Sequence, residues 1–307
     1  MKTSAPTISL PANEDRSLLG IYSELVKFRL TSLVLVTAAV GFYMGSVAPM
    51  DYTKLLALLS GTALVAGAAA VFNQLLERDA DAKMVRTAKR PIPSGLVRPE
   101  TAFLLGTVMA IGGLAVLAKY NNRLCAGIGA ITIVAYVLIY TPLKRVTRLN
   151  TIIGAVPGAL PPLMGWTAAA APEQAFSIAG WSLVAILFFW QLPHFMAISW
   201  MHREDYSRAG FAMLAVEDKS GIVTGRHALS HSIGTLAVSL CPFVFGMNGV
   251  AYLFSALILG IVYIVFAFRF SRRPTLETAK ALFYCSILYL PVIFGILVLT
   301  KTKAIAG

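Results

Sequence analysis

Residues 54–90, KLLALLSGTALVAGAAAVFNQLLERDADAKMVRTAKR, run from an apolar stretch into a dense cluster of charged side chains. Residues 54–72 are apolar over about the length needed to cross a bilayer, so we expect a membrane-spanning helix. Asn73, Glu77 and Asp81 follow at intervals of four and therefore share one helical stripe, roughly 12 Å long. Amide and carboxylate oxygens suit Mg²⁺, which proteins usually hold through one or two carboxylates plus substrate phosphates. The stretch predicts a metal and phosphate site at a membrane edge.

A helix end that simply meets water and lipid headgroups is the alternative interpretation of this cluster. It accounts well for Arg78 and Lys83. It accounts less well for Asn73 and Glu77, because they lie on the membrane side of the cluster, where unpaired polar groups are costly. We therefore favour a metal site, and the basic residues that follow it are candidates to bind a diphosphate: Arg86, Lys89 and Arg90.

The composition of the whole chain predicts an all-α polytopic membrane protein. Of its 307 residues 57% are hydrophobic and only 13% are charged, and the mean hydropathy is +0.74. Gly and Pro residues in 154–166 permit close helix approach, an irregular segment lining a cavity, or plain packing. We expect nine transmembrane helices around a central cavity, with long inner loops forming a cap, from apolar runs at 30–48, 54–72, 101–118, 124–140, 151–169, 177–198, 228–247, 249–268 and 281–299.

The net charge of +12 predicts membrane orientation rather than nucleic-acid binding. With the N-terminus inside, most of the 26 Lys and Arg residues lie in the tail and in the loops after even-numbered runs. The first 27 residues are polar, with neither a signal-peptide core nor the character of a transit peptide. We therefore expect a cytoplasmic N-terminus and a bacterial plasma membrane rather than a mitochondrial inner membrane. The three cysteines show no disulfide or zinc spacing.

A second constellation lies in residues 188–211, FFWQLPHFMAISWMHREDYSRAGF. It places Gln191 and His194 inside or at the rim of the sixth helix. If that helix continues, Asp205 returns to the same face as His194 but about 16 Å along the axis, too far to share a proton directly. We expect His194 to act deep in the cavity and Asp205 near the loop. The alternative is that a lone histidine in a membrane helix only hydrogen-bonds a neighbour.

A third stretch, YTPLKRVTRLN at 140–150, closes the fourth helix and places Tyr140, Lys144 and Arg145 on the same inner face. Positive charge there is also the ordinary signal of a cytoplasmic loop. A diphosphate leaving group, however, needs cations to offset its developing charge. We expect Lys144 or Arg145 to take that role.

Together these stretches resemble the UbiA-type intramembrane prenyltransferases, and in particular the branch that prenylates heme. The superfamily's first motif, an Asn followed at +4 and +8 by acidic residues, matches Asn73, Glu77 and Asp81. Most members that prenylate aromatic rings carry a second aspartate motif at the end of helix six. Here that place reads WQLPHF at 190–195 and REDYSRAG at 203–210, a pattern typical of the heme branch.

The resemblance implies one prenyltransferase domain over 28–307, after a polar tail over 1–27. It implies that a farnesyl group passes from farnesyl diphosphate to the vinyl group of heme B, with addition of water, giving heme O for heme-copper oxidases. Mg²⁺ would bind Asn73, Glu77 and Asp81. Further positive charge would come from Arg86, Lys89, Arg90, Lys144 and Arg145. The implied catalytic residues are His194, Lys144 and Asp205.

The resemblance also implies a pocket and a set of partners. The pocket would contain Arg29, Tyr140, Trp190, Gln191 and Phe195, and the aromatic rings among them, with Trp200, would steady an allylic cation. Phe28 stands where the family commonly has Pro, beside Arg29. Both substrates would enter from the lipid bilayer, and heme A synthase or oxidase assembly factors would be the protein partners.

Three rival functions remain open at this point. One is a related prenyltransferase that acts on a quinone precursor or another tetrapyrrole. Another is an ion-coupled transporter, but that class needs carboxylates spread through mid-membrane helices, and the acidic residues here gather at the inner rim. The third is a heme chaperone without catalytic activity, which would not need the stripe that begins at Asn73.

Overall fold

The computed structural model describes residues 17–47 and 49–302, so residues 1–16 of the predicted tail over 1–27 lie outside the described residues. Within those ranges the chain forms helices and no β-strand. Nine helices there are long and apolar enough to cross a bilayer, which confirms the predicted all-α fold. We call them spans 1 to 9: Phe28–Gly45, Tyr52–Asp81, Pro99–Tyr120, Arg123–Leu143, Asn150–Ala169, Ile178–Met201, Ile222–Val244, Val250–Arg272 and Leu276–Leu299.

Four shorter helical segments connect or precede the spans. Leu18–Leu25 precedes span 1, Pro172–Gln174 is a 3₁₀ turn before span 6, and Arg203–Arg208 and Leu214–Glu217 follow span 6. Residues 18–25, expected to be part of a polar tail, therefore form a helix, and Ile21 and Leu25 are buried.

The spans differ from the apolar runs mainly where polar residues continue a helix. Span 2 extends through Asp81, so the predicted stripe is helical to its end. Span 7 begins at Ile222, six residues before the predicted 228, because Gly225 packs on the Ser271 backbone of span 8 and carries the exposed Arg226 into the helix. Span 6 ends at Met201 and does not continue through Asp205, contrary to the continuous helix considered for His194.

Span 5 contains the Gly and Pro residues of 154–166 and shows a break in the helix and a close approach to another span. It is broken at Leu160 into Asn150–Ala159 and Pro161–Ala169. Its second half approaches span 1 so closely that a Cβ built on Gly165 would lie 1.9 Å from the Ala38 carbonyl oxygen. Only glycine permits this contact.

Spans 1 to 5 pack as one group and spans 6 to 9 as another. The groups meet where span 6 packs on span 5 and span 9 packs on span 1. After span 9, Lys301 Nζ donates to the carbonyl oxygens of Tyr43 (2.6 Å) and Ser46 (2.8 Å), so the last span is tied to the end of the first.

Spans 2, 4 and 6 all finish at one end of the bundle, which we call the charged end. The loops there pack on each other, as the expected cap requires. Met84 lies in the first of these loops, after span 2, and Phe211 lies in the third, after span 6. Both belong to one buried apolar cluster. The backbone N–H of Ala212 donates to the Lys144 carbonyl oxygen at 2.8 Å, and Asn150 Nδ2 donates to the Ala212 carbonyl oxygen at 2.8 Å. The three loops therefore support one another over the end of span 2.

Candidate active site

The oxygen stripe of span 2 is buried at the charged end. Asn73, Glu77 and Asp81 are 1%, 4% and 0% exposed. Gln74, between them, donates through Nε2 to the carbonyl oxygens of Glu24 and Leu25, which holds the short N-terminal helix against span 2. Because burying a carboxylate without a partner is very costly, these groups require cations beside them.

Three cations from three different segments supply that charge. Each lies 2.7 Å from one acceptor: Lys27 Nζ from Asn73 Oδ1, Lys144 Nζ from Glu77 Oε1, and Arg90 Nη1 from Asp81 Oδ2. We call these six residues the polar cluster. The structure therefore brings Lys144 and Arg90, two of the predicted cations, to the predicted stripe.

Lys27 reaches the polar cluster because of an unusual backbone conformation. It lies between Leu18–Leu25 and span 1 with φ 50°, the left-handed region that a lysine rarely adopts. Burial, together with Arg90 and Lys144, lowers the pKa of Lys27 to about 7. Lys144 behaves differently: burial lowers its pKa, but Tyr140 and Glu77 more than offset this and raise it above the usual value. Its Nζ also lies 4.6 Å from the centre of the Tyr140 ring.

A turn of π-helix in span 4 orients the Asn73 amide. Ala135–Tyr140 has π-helical hydrogen bonding, a feature frequent at functional sites. Thr141 Oγ1 donates to the Tyr136 carbonyl oxygen (2.8 Å) and must therefore accept from Asn73 Nδ2 (3.1 Å). This contact turns Asn73 Oδ1 toward Lys27 and the acidic residues.

The polar cluster fits a magnesium ion shared with a diphosphate. Asp81 Oδ1 is buried and has no hydrogen-bond partner among the described residues. Glu77 Oε1 contacts Lys144 as an ion pair, without the angles of a directed hydrogen bond. No group of three His, Cys, Asp or Glu side chains within residues 17–47 and 49–302 is arranged to hold a metal alone. Two carboxylates and an amide suit a cation whose remaining ligands are phosphate oxygens and water.

The other predicted cations lie farther out. The side chains of Arg29, Arg86, Lys89 and Arg145 are exposed at or near the charged end. They stay predictions as substrate contacts, and of the basic residues at the start of span 1 it is Lys27 that contacts the stripe.

The second constellation forms an aromatic and polar cluster on span 6. His194 Nδ1 lies 2.7 Å from Ser286 Oγ of span 9, and its ring stacks against Trp190 (5.2 Å) and Phe283 (5.1 Å). The histidine therefore does hydrogen-bond a neighbour, as the alternative interpretation required, but among the described residues it does so through Nδ1 only. Trp190 Nε1 donates to the Ser286 carbonyl oxygen at 2.8 Å.

Gln191 and Tyr140 connect this cluster to the polar cluster through span 5. Gln191 Nε2 donates to the Ala155 carbonyl oxygen at 2.8 Å, and its Oε1 packs on Gly158. The Tyr140 ring packs on Gly154, one turn earlier on the same helix. Phe195 is 36% exposed, so it lies at the bundle surface beside His194 rather than in its interior.

Asp205 lies in the cap. Its carboxylate pairs with Arg208 in the same short helix, and the backbone of Val85 in the loop after span 2 lies beside it. Although burial alone raises the pKa of Asp205, these two neighbours lower it below the usual value. No contact among the described residues joins Asp205 to His194, and its predicted catalytic role stays a prediction.

Sequence reasoning missed four residues of these clusters: Lys27, Thr141, Phe283 and Ser286. The sequence did offer an indication that Lys27 belongs to the site, since it lies in the same basic segment as Arg29. It offered none for Thr141 and Ser286, because serine and threonine are common in helices and their partners lie on other spans.

Comparison with known proteins supports the resemblance. Residues 34–290 match the model of the UbiA prenyltransferase family. A protein of Solibacter usitatus named protoheme IX farnesyltransferase is 40% identical, with 91% of this chain and 98% of that protein covered. A protein of the same name from Opitutus terrae is 43% identical, with 91% and 94% covered.

A solved structure supports the fold. It is described as a UbiA homolog from Archaeoglobus fulgidus bound to GPP and Mg²⁺, with a TM-score of 0.63 at 15% identity. The alignment covers 90% of this chain and 99% of that one. On the family match and on relatives of 40% identity or more, this chain belongs to the UbiA prenyltransferase family.

Proposed function

We propose that the protein transfers a farnesyl group from farnesyl diphosphate to a vinyl group of heme B, with addition of water, giving heme O and diphosphate. The observation that carries this proposal is the polar cluster, in which a buried oxygen stripe faces three cations. The choice of heme as acceptor rests on the 40% and 43% identical relatives, both named protoheme IX farnesyltransferase.

The proposed diphosphate site uses the cluster's existing charges. Asn73, Glu77 and Asp81 would hold Mg²⁺, which when bound supplies Lewis acidity to the departing diphosphate. Lys27, Lys144 and Arg90 already lie 2.7 Å from those acceptors. With those acceptors neutralised by a bound metal, Lys27, Lys144 and Arg90 would be available to the phosphate oxygens. Arg86, Lys89 and Arg145 are proposed as outer contacts.

The proposed chemistry follows from that charge arrangement. The bond between farnesyl C1 and oxygen breaks, and its electron pair leaves with the diphosphate, which the three cations stabilise. The heme vinyl group attacks C1, and positive charge develops on the carbon next to the porphyrin. Water adds to that carbon and releases a proton. Tyr140 and Trp190 provide aromatic faces for the allylic cation, and the apolar surroundings limit its early capture by water.

The rival functions fit the observations less well. A transporter needs carboxylates in mid-membrane helices, whereas those of spans 2, 3 and 9 lie in the first or last turns. A heme chaperone gives no reason for three buried cation–acceptor pairs. A prenyltransferase with a phenolic or different tetrapyrrole acceptor shares the polar cluster, so the acceptor must be tested directly.

The setting of the reaction is part of the proposal. We place the protein in a bacterial plasma membrane with the charged end and the N-terminus in the cytoplasm. Residues 28–307 are proposed as the catalytic domain, which the helix Leu18–Leu25 extends by packing on span 2. Heme A synthase or oxidase assembly factors are proposed to take the product.

Mass spectrometry of hemes extracted from cells that express the chain tests the proposal. We expect a new heme heavier than heme B by a farnesyl group and a hydroxyl group, and none from a Glu77→Ala, Asp81→Ala double variant that still inserts into membranes. Membranes supplied with farnesyl diphosphate and either heme or a phenolic acid identify the acceptor. Prenylation of the phenolic acid alone would overturn the choice of heme.

A further inference from the structure

Ser286 of span 9 hydrogen-bonds His194 of span 6 from a fully buried position. Its Oγ lies 2.7 Å from His194 Nδ1 and 2.5 Å from the Phe283 carbonyl oxygen. A carbonyl oxygen only accepts, so the single hydroxyl proton of Ser286 is donated to Phe283. The hydroxyl must then accept from His194, and the hydrogen bonds run from His194 Nδ1–H to Ser286 Oγ and on to Phe283.

This direction decides which ring nitrogen of His194 carries the proton. A neutral imidazole has one N–H, and the partner of one nitrogen sets the state of the other. With Nδ1 protonated, Nε2 has the lone pair, and within residues 17–47 and 49–302 Nε2 has no hydrogen-bond partner. The stacked rings of Trp190 and Phe283 fix the plane of the imidazole.

The Ser286 backbone is itself held in place. Trp190 Nε1 donates to its carbonyl oxygen at 2.8 Å, and the hydroxyl of Tyr263 on span 8 donates to the Trp190 carbonyl oxygen at 2.9 Å. Three spans therefore define the position of one hydroxyl group.

We propose that Ser286 is a positioning residue that holds His194 in its Nδ1–H form and keeps the Nε2 lone pair available to the substrate. The consequence for catalysis rests on the proposed function. Binding the heme iron or taking the proton of the added water both require an unprotonated ring nitrogen. Without the Ser286 hydroxyl, none of the contacts described for the His194 ring favours a proton on Nδ1 over a proton on Nε2.

Nitrogen-15 NMR of protein labelled at its four histidines tests the tautomer directly. A His194→Gln variant identifies the His194 signals. We expect the Nδ1–H form in the unmodified protein and a shift toward the Nε2–H form in Ser286→Ala. Ser232→Ala is the matched control, because Ser232 is equally buried and bonds only its own helix at Leu229. An Nε2–H form in the unmodified protein, or no shift in Ser286→Ala, would overturn the proposal.

Product formation provides the second measurement. Ser286→Ala should lower kcat by about tenfold, the effect of losing one hydrogen bond at the upper end of ordinary strength. Ser286→Thr, which keeps the hydroxyl, should recover most of the rate, and Ser232→Ala should leave it unchanged. If Ser286→Ala shifts the tautomer but leaves kcat unchanged, Ser286 has no role in catalysis. If the unmodified protein prenylates no heme, the proposed function fails, while the NMR result still decides the tautomer.

Discussion

Replacing Lys27 by Met removes one cation from the polar cluster while keeping a side chain of similar length. The lost contact is a 2.7 Å hydrogen bond from a charged donor to Asn73 Oδ1, at a residue 1% exposed. A hydrogen bond to a charged group is worth about 1.5 to 3 kcal/mol. If the Lys27 charge transfers to the diphosphate, kcat/KM for farnesyl diphosphate should fall by about 10- to 150-fold.

The same substitution should not destabilise the fold. The pKa of Lys27 is about 7 in the folded protein, below the usual 10.5, so the unfolded chain binds more protons between those values. Stability therefore rises with pH across this window, and at neutral pH the buried charge is a cost to folding. We expect Lys27→Met to have an unchanged or higher Tm. A loss of rate without a loss of stability separates a catalytic role from a structural one.

Arg98→Met is the matched control, because Arg98 has the same charge, is exposed and has no predicted role at the site. Initial rates with purified protein, farnesyl diphosphate and heme, followed by chromatography of the product, give the comparison. We expect Arg98→Met to stay within about threefold of the unmodified protein, as is usual for exposed charges. A larger loss for Arg98→Met than for Lys27→Met would refute the assignment of the cation to Lys27.

Other changes to the polar cluster have separate expected outcomes. Chelation by EDTA should abolish transfer and added Mg²⁺ should restore it; an undiminished rate in EDTA would contradict metal-assisted departure of the diphosphate. Lys144→Met should lower the free energy of unfolding by about 3 to 5 kcal/mol, because it leaves Glu77 charged and buried. A Tm equal to that of the unmodified protein would argue against this. Thr141→Val removes the acceptor of the Asn73 amide. It should raise the Mg²⁺ concentration needed for half-maximal rate by about tenfold, which corresponds to the upper end of the free energy of one hydrogen bond. An unchanged Mg²⁺ concentration would show that Asn73 does not need the Thr141 contact.

Much of the fold followed from local properties of the chain. Runs of apolar residues long enough to cross a bilayer predict spans without knowledge of their neighbours, and all nine were confirmed. The stripe of span 2 also follows from the sequence, since a spacing of four places Asn73, Glu77 and Asp81 on one helical face. The boundary of span 7 was wrong because hydropathy does not register polar residues that packing retains in a helix.

The partners of that stripe depend on the tertiary structure. Lys27 meets Asn73 across 46 residues because of a left-handed backbone at one position, which hydropathy and charge do not encode. Thr141 meets Asn73 through a π-helical turn, and Ser286 meets His194 across 92 residues. Helical periodicity assigns a residue to a face of its own helix, whereas the packing of different helices decides which faces meet. The oxygen stripe was therefore determined by the sequence alone, and the partners that orient and neutralise it were decided by the fold.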